Sequence, residues 1–346
     1  MTGVALIGTG LMGRVHSHAL HAARAGARLV AVCGREREQL AAAYGWESTT
    51  AEWREAVSRP DVGLVIVATR NAEHAAAARA AIDCGKAVLC EKPLAANLAE
   101  ARTLRDVATG REACGFNYRF VPALGLARDM IERGEIGDVL HVRSRFLLGA
   151  DARDGWRRSP RLAGSGVVGD LASHHIDLVR WLAGEPVAIV ASTRTLRAGE
   201  TEDQAVLSLE LESGATALLE ASRAAGGHLV TGEIEVDGTN GTLAFSLQAF
   251  NELTWLRGAE RRTIHATRPH DPDMAMWWPA GHPLGWDASF VHQARHVLRC
   301  VAGEAEALAP RAATFEDGYR CAAVCEAALR AAAAGRAMSF SAGEWS

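Results

Sequence analysis

The feature that most constrains the fold is an alternation in the first third of the chain. Short apolar runs at residues 4–7, 29–33, 63–68, 87–90 and 112–115 read as strands. Helical, mostly alanine-rich stretches separate them, at 13–25, 35–44, 72–84 and 97–108. The run 63–68, Gly-Leu-Val-Ile-Val-Ala, is apolar without alternation, as in a strand covered on both faces. Repeated β-α-β units of this kind close into a parallel sheet with helices on both sides.

A chain of 346 residues has room for a second domain, and the pattern changes near residue 120. A helix is predicted over 123–133. Strand signals then follow at 139–147, 187–195, 204–211, 215–223, 230–237 and 242–247, with one interrupting helix at 169–182. Leu207, Leu209 and Leu211 alternate with Ser208 and Glu210, the mark of a half-buried strand. Gly238-Thr239-Asn240-Gly241 predicts a hairpin turn. Residues 259–287 are read as an irregular loop, and helices at 289–302 and 315–334 close the chain. The fold class is therefore α/β, with a doubly wound parallel sheet over 1–120. Residues 121–346 form an α/β domain with a large, mostly antiparallel open sheet that has one wet or interface face. Its last helices are available to pack back on the first domain.

Composition narrows the class. Apolar residues make up 49% and charged residues 23%, and net charge is −4. Such a chain is neither disordered nor fibrous. It has no basic run for nucleic acid and no stretch of about 18 apolar residues for a membrane span. The seven cysteines are odd in number and sit mostly in apolar runs, which fits a reducing compartment. With no charged leader before the first strand, the expected location is cytoplasmic. Cys321 and Cys325 lie four apart, without a second pair to complete a zinc site. His16, His18, His21, His292 and His296 read as packed or surface histidines, so no metal is expected.

Three constellations carry chemistry. Gly8-Thr9-Gly10-Leu11-Met12-Gly13 is G-x-G-x-x-G between a strand and a helix. In that context Gly8 permits the turn, Gly10 lets a pyrophosphate approach, and Gly13 lets helix and strand pack. The helix N-terminus favours phosphate. At the end of the second strand, Gly34 stands where an acid would hold the ribose hydroxyls of NAD. Arg35 and Arg37 suit a 2′-phosphate instead, while Glu36 keeps NAD open; the cofactor is NADP or NAD, with NADP ahead. Glu91-Lys92-Pro93 lies at another strand end, where a cis bond fits and ligands bind in such sheets. Finally, Asp170 and His174 are four apart on a helix and share a face. A carboxylate beside an imidazole suits proton transfer, and Asp177 could also reach His174.

Taken with Ala68-Thr69, Asn71 and His74, with Asn117-Tyr118-Arg119 and with Phe315-Glu316-Asp317-Gly318-Tyr319, these motifs resemble the Gfo/Idh/MocA family of Rossmann-fold oxidoreductases over almost the whole chain. Gly115-Phe116, Ala163-Gly164-Ser165-Gly166 and Gly169-Asp170 are most similar to levoglucosan-dehydrogenase-like and other sugar 3-dehydrogenases. The resemblance implies that Lys92, Asp170 and His174 are catalytic. Lys92 would place positive charge at the reacting oxygen, His174 would be the acid/base, and Asp170 would hold the substrate hydroxyl. It implies cofactor contacts at Gly8, Gly10, Leu11, Met12, Gly13, Ala68, Thr69, Asn71, His74, Glu91, Lys92 and Asn117. Arg119 would lie near nicotinamide or sugar. The family often has proline where this chain has Arg70, so Arg70 could read substrate or phosphate.

Substrate signals are thinner. Trp156, Trp277, Trp278 and Trp286 fall in loops expected around the cleft, and aromatic faces suit the C–H faces of sugars. Asp151, Asp154, Asp271, Asp273 and Asp287 lie near them and could hold an amino sugar. The implied reaction is oxidation of a secondary ring hydroxyl, at C3 of a sugar, glycoside or aminoglycoside precursor. A retained-NAD glycosidase, a ketone reductase and a non-enzymatic cofactor sensor are the alternatives. The family also implies a homodimer or homotetramer built through the outer sheet face.

Overall fold

Sheet order decides where a ligand can sit, and here it reverses at the first strand. The computed structural model describes residues 1–23, 26–149, 155–197, 199–270, 279–304 and 307–340. Over these the chain forms two units: Met1–Phe120 with Arg161–Gly164 and Trp286–Ala322, and Val121–Pro160 with Ser165–Gly285 and Ala323–Ser346.

The first unit carries strands β1 (Thr2–Ile7), β2 (Ala27–Cys33), β3 (Ser48–Thr50), β4 (Leu64–Val67), β5 (Ala87–Cys90) and β6 (Glu112–Cys114). They pair in parallel in the order β3-β2-β1-β4-β5-β6. The short strand Ala313–Thr314 adds antiparallel to the β6 edge. Every residue of β4 and β5 is buried, which explains their unbroken apolar character. The order reverses between β1 and β4, so the crevice at their carboxyl ends is the natural ligand position. β3 and the helix Trp53–Ser58 were not expected. β3 is Ser-Thr-Thr and only half-buried, so it offers no apolar run to read.

The second unit carries β7 (Val139–Leu148), β8 (Pro186–Arg194), β9 (Gln204–Leu211), β10 (Thr216–Ser222), β11 (Val230–Gly238), β12 (Gly241–Ser246), β13 (Glu252–Arg257) and β14 (Glu260–His265). Their order is β14-β13-β12-β11-β7-β10-β9-β8, extended by Met338–Ser339. Only β7 and β10 are parallel neighbours. The predicted turn joins β11 to β12, with Gly238 opposite Gly241. The hairpin β13–β14 corrects the expectation of an irregular loop from 259 onward. β14 is an edge strand exposed at nearly every position, so it lacks the alternation of a half-buried strand.

One face of this sheet is dry. Leu207, Leu209 and Leu211 point there, as the alternation predicts, and the helices Pro122–Glu132 and Ser173–Ala183 pack on the sheet. The other face mixes charge pairs with apolar side chains. Arg143 pairs with Glu235 and Asp237, and Arg145 with Glu233. Val190, Val206 and Leu218 stay 53%, 48% and 44% exposed. Among the described residues no helix is long and apolar enough to cross a membrane.

Candidate active site

The glycine motif does three different things. Gly8 has φ +111°, and a Cβ there would stand 2.2 Å from the Ala68 carbonyl oxygen. The turn after β1 therefore lies backbone to backbone on the end of β4. A Cβ at Gly13 would stand 2.1 Å from the Gly8 oxygen, which seats the helix Leu11–Ala23 tightly on that turn. Gly10 differs: nothing lies within 4 Å of its Cβ position. That open space, beside Leu11 at 62% exposure and a helix N-terminus, fits a dinucleotide pyrophosphate.

Past β2, Gly34 has φ +151° and leaves room for Thr9, whose Oγ1 would be 2.5 Å from a Cβ. Thr9 Oγ1 accepts the Glu36 N–H at 3.0 Å, and Arg14 pairs with Glu36. Arg37 donates to the Gly34 oxygen at 3.0 Å and pairs with Glu38 at 3.2 Å. Arg35 is exposed and has no ion-pair partner among the described residues. Of the two expected phosphate readers, one is tied down and one is open. The spacing carried no signal for Thr9 or Arg14.

The ends of β4 and β5 are fastened together. His74 is buried, with Nδ1 2.8 Å from the Pro93 oxygen and Nε2 3.3 Å from the Thr69 oxygen. Burial pulls its pKa below the ordinary histidine value, against the hydrogen bonds to Pro93 and Thr69. A neutral ring donates once, and the shorter contact assigns that proton to Nδ1 and Pro93. Thr69 is half-buried and Ala68 buried. Arg70 is paired with Glu73 at the surface rather than left open for a ligand. Asn71 Nδ2 donates to the Ala163 oxygen at 2.8 Å. The Lys92–Pro93 peptide is cis, and Lys92 is half-buried.

Asn117 and Arg119 are both buried. Asn117 Nδ2 donates to Ser289 Oγ at 2.9 Å. Arg119 donates to Asp317 Oδ1 at 3.0 Å. Asp317 also accepts the Thr314 N–H at 2.9 Å and donates its own N–H to Thr314 Oγ1 at 3.3 Å, a capping box at the start of the helix Phe315–Ala334. The buried Arg119 guanidinium is thus engaged by Asp317. Trp286 is 43% exposed and stands edge-on to Phe290 at 4.8 Å.

In the second unit the segment before the helix Ser173–Ala183 is a π-helical turn, Val168–Ala172, with the Ser173 N–H reaching the Val168 oxygen. Its entry is crowded. A Cβ at Gly166 would be 2.1 Å from the Glu202 oxygen, and one at Gly169 would be 2.4 Å from Ser165 Oγ. Glu202 accepts the Val167 N–H on its carbonyl and the Val168 N–H on Oε1, both at 2.9 Å. Neither Glu202 nor the π turn was legible in the spacing. Asp170 sits on this turn with Arg157 Nε 3.7 Å from its Oδ2, and the Arg157 guanidinium lies 4.4 Å over the Trp156 ring.

The two adjacent histidines diverge. His174 is half-buried, its ring 5.9 Å from Phe146. His175 is buried against Phe146 at 5.2 Å, with Nδ1 on Ser144 Oγ. Burial pushes the His175 pKa down to about 3. Asp177 is buried beside Arg180 at 4.0 Å. Trp278 lies outside the described residues, as do Trp277, Asp151, Asp154, Asp271 and Asp273.

Comparison with known proteins gives consistent neighbours. Residues 2–118 match the family described as "Oxidoreductase family, NAD-binding Rossmann fold", and residues 125–244 match the "GFO/IDH/MocA C-terminal domain". The levoglucosan dehydrogenase of Pseudarthrobacter phenanthrenivorans is 30% identical, over 95% of this chain and 96% of that protein. The structure of a levoglucosan dehydrogenase in complex with NADH and levoglucosan superposes with a TM-score of 0.91 at 30% identity, over 98% of this chain and 99% of that one. GenD2 from gentamicin A biosynthesis, in complex with NAD, gives a TM-score of 0.82 at 31% identity, over 99% of this chain and 97% of that one. Both domain matches and end-to-end similarity place the chain in the Gfo/Idh/MocA oxidoreductase family.

Proposed function

We propose that this chain is an NAD(P)-dependent dehydrogenase that oxidises a secondary ring hydroxyl, at C3 of a sugar, glycoside or aminoglycoside precursor. The observation that carries the reading is the open cradle at Gly10, on a sheet whose strand β5 is followed directly by Glu91-Lys92-Pro93. One relative is a levoglucosan dehydrogenase, a neighbour is solved with NADH and levoglucosan, and another comes from gentamicin A biosynthesis and is solved with NAD.

A bound nicotinamide supplies the hydride acceptor. The chain supplies the rest. The turn Gly8–Gly13 and Ala68-Thr69 hold the dinucleotide, and residues 1–120 are the domain that binds it. His174 takes the hydroxyl proton, Asp170 holds the substrate hydroxyl, and the Lys92 ammonium stabilises negative charge growing on the oxygen. Trp156 and Trp286 offer aromatic surface to a sugar. Arg35 reads a 2′-phosphate, which puts NADP ahead of NAD. Glu36, held by Arg14, supports NAD as the second reading. The outer sheet face around Val190, Val206 and Leu218 receives a second copy of the chain. The protein works in the cytoplasm.

The test is a fluorescence titration with NADH and NADPH, followed by NAD(P)H formation on a panel of levoglucosan, glycosides and amino sugars. Binding with turnover on a panel member supports the reading. Binding with bond cleavage and no net reduced cofactor favours a retained-NAD glycosidase. Binding with neither favours a sensor.

A further inference from the structure

The helix that starts at the glycine turn also reaches inward to the end of β5. One turn past Gly13 it buries His16, whose Nε2 lies 2.8 Å from Glu91 Oε1. The other oxygen, Glu91 Oε2, accepts the backbone N–H of Lys92 at 3.2 Å. Phe290 closes off the imidazole edge-on at 5.9 Å. The carboxylate fits because residue 115 is glycine: a Cβ there would be 3.0 Å from Glu91 Cα and 3.1 Å from Cδ and Oε1.

A buried carboxylate is costly unless its oxygens are engaged. Here one oxygen holds the amide of the residue that carries the ammonium. The other depends on His16. Without His16 the carboxylate would be free to turn away, and the Lys92 amide would lose its acceptor. We propose that His16 is a positioning residue for Lys92, acting through the Glu91 carboxylate in a pocket left by Gly115. The dyad ties the segment that cradles the pyrophosphate to the strand end that presents the ammonium. His16 itself is buried, at 1% exposure. This rests on the reading of Lys92 as the group at the reacting oxygen.

The test uses the full chain with His16→Ala, His16→Gln, Gly115→Ala, Lys92→Ala and the double variant His16→Ala/Lys92→Ala. A glutamine places an amide N–H where Nε2 stands. Measured are NADH affinity by fluorescence, kcat and KM on the best-turned-over panel sugar, melting temperature, and deuterium exchange of the peptide around Lys92. A misplacement of the ammonium predicts a fall in kcat of about 10- to 100-fold for His16→Ala, with NADH affinity within about threefold. Gly115→Ala should fall in the same direction. His16→Gln should recover most of the loss. Exchange at the Lys92 amide should rise in His16→Ala and not in His16→Gln. The double variant should be no slower than Lys92→Ala alone.

Equal loss in His16→Ala and His16→Gln, independent losses that multiply in the double variant, or unchanged exchange would each overturn the role of His16. Wild-type turnover in Lys92→Ala would instead overturn the reading of Lys92, while the exchange result would still report on the dyad.

Discussion

His174 and His175 are neighbours in the chain and opposites in environment. His174 is half-buried, whereas His175 is buried and bonded to Ser144. Only His174 has the exposure that the proposed proton transfer needs. His174→Ala should therefore lower kcat by about 10²- to 10⁴-fold, with NADH affinity retained. Steady-state kinetics on the best panel sugar checks this, and wild-type turnover would reject the assignment.

The buried partner makes a prediction about pH. His175 has its folded pKa depressed to about 3, against an ordinary value near 6.5. Below 6.5 the unfolded chain takes up a proton that the folded chain refuses. Stability from this group is complete above pH 6.5 and is lost as pH falls from there toward 3. The slope approaches about 1.4 kcal/mol per pH unit where the difference is one full proton. His74 is shifted in the same direction and adds to it. Urea unfolding at pH 5 and pH 8 should show the loss, and His175→Gln should flatten it.

Gly8 and Gly10 separate folding from binding. Alanine at Gly8 runs into the Ala68 carbonyl and is strained at φ +111°, so both melting temperature and cofactor affinity should fall. Alanine at Gly10 meets nothing in the chain. It should leave the melting temperature unchanged and weaken NADH binding by about tenfold or more, a change of roughly 1.4 kcal/mol. Unchanged affinity would remove the pyrophosphate from this turn.

Arg35 and Arg37 should not be equivalent. A guanidinium–phosphate contact is worth about 1.5–3 kcal/mol, so Arg35→Ala should weaken NADPH by about 10- to 100-fold and leave NADH unaffected. Arg37→Ala should do less, because Arg37 is held by the Gly34 oxygen and Glu38. Equal losses for both cofactors would reject the 2′-phosphate reading.

Leu218→Glu places a charge opposite Arg143 in the neighbouring strand and among the apolar side chains of the outer sheet face. If a second copy covers that face, the variant should sediment as a smaller species than the wild-type chain. Unchanged sedimentation would place the contact elsewhere.

Much of this is legible in the sequence, for physical reasons. The buried strands β4 and β5 announce themselves because both faces are dry, and β9 because only one is. The glycine motif is readable because close backbone approach leaves glycine no substitute. β3, β13 and β14 were missed because short polar or edge strands carry no apolar period. The Arg119–Asp317 pair is not legible locally, because a motif gives a residue's neighbourhood and not its partner, which comes 198 residues later. Glu202, Arg14 and the His16–Glu91 pair are long-range contacts that no local pattern encodes.

The parallel sheet has a consequence for the order in which the protein can be made. Its last strand is Ala313–Thr314, and the buried ends of Asn117 and Arg119 wait for Ser289 and Asp317. Synthesis proceeds from the N-terminus at about 5–20 residues per second. The first 120 residues therefore leave the ribosome many seconds before the groups that complete them. The nascent nucleotide-binding half must remain open at its β6 edge until nearly the whole chain has emerged, and a fragment ending at residue 120 would keep that edge unsealed.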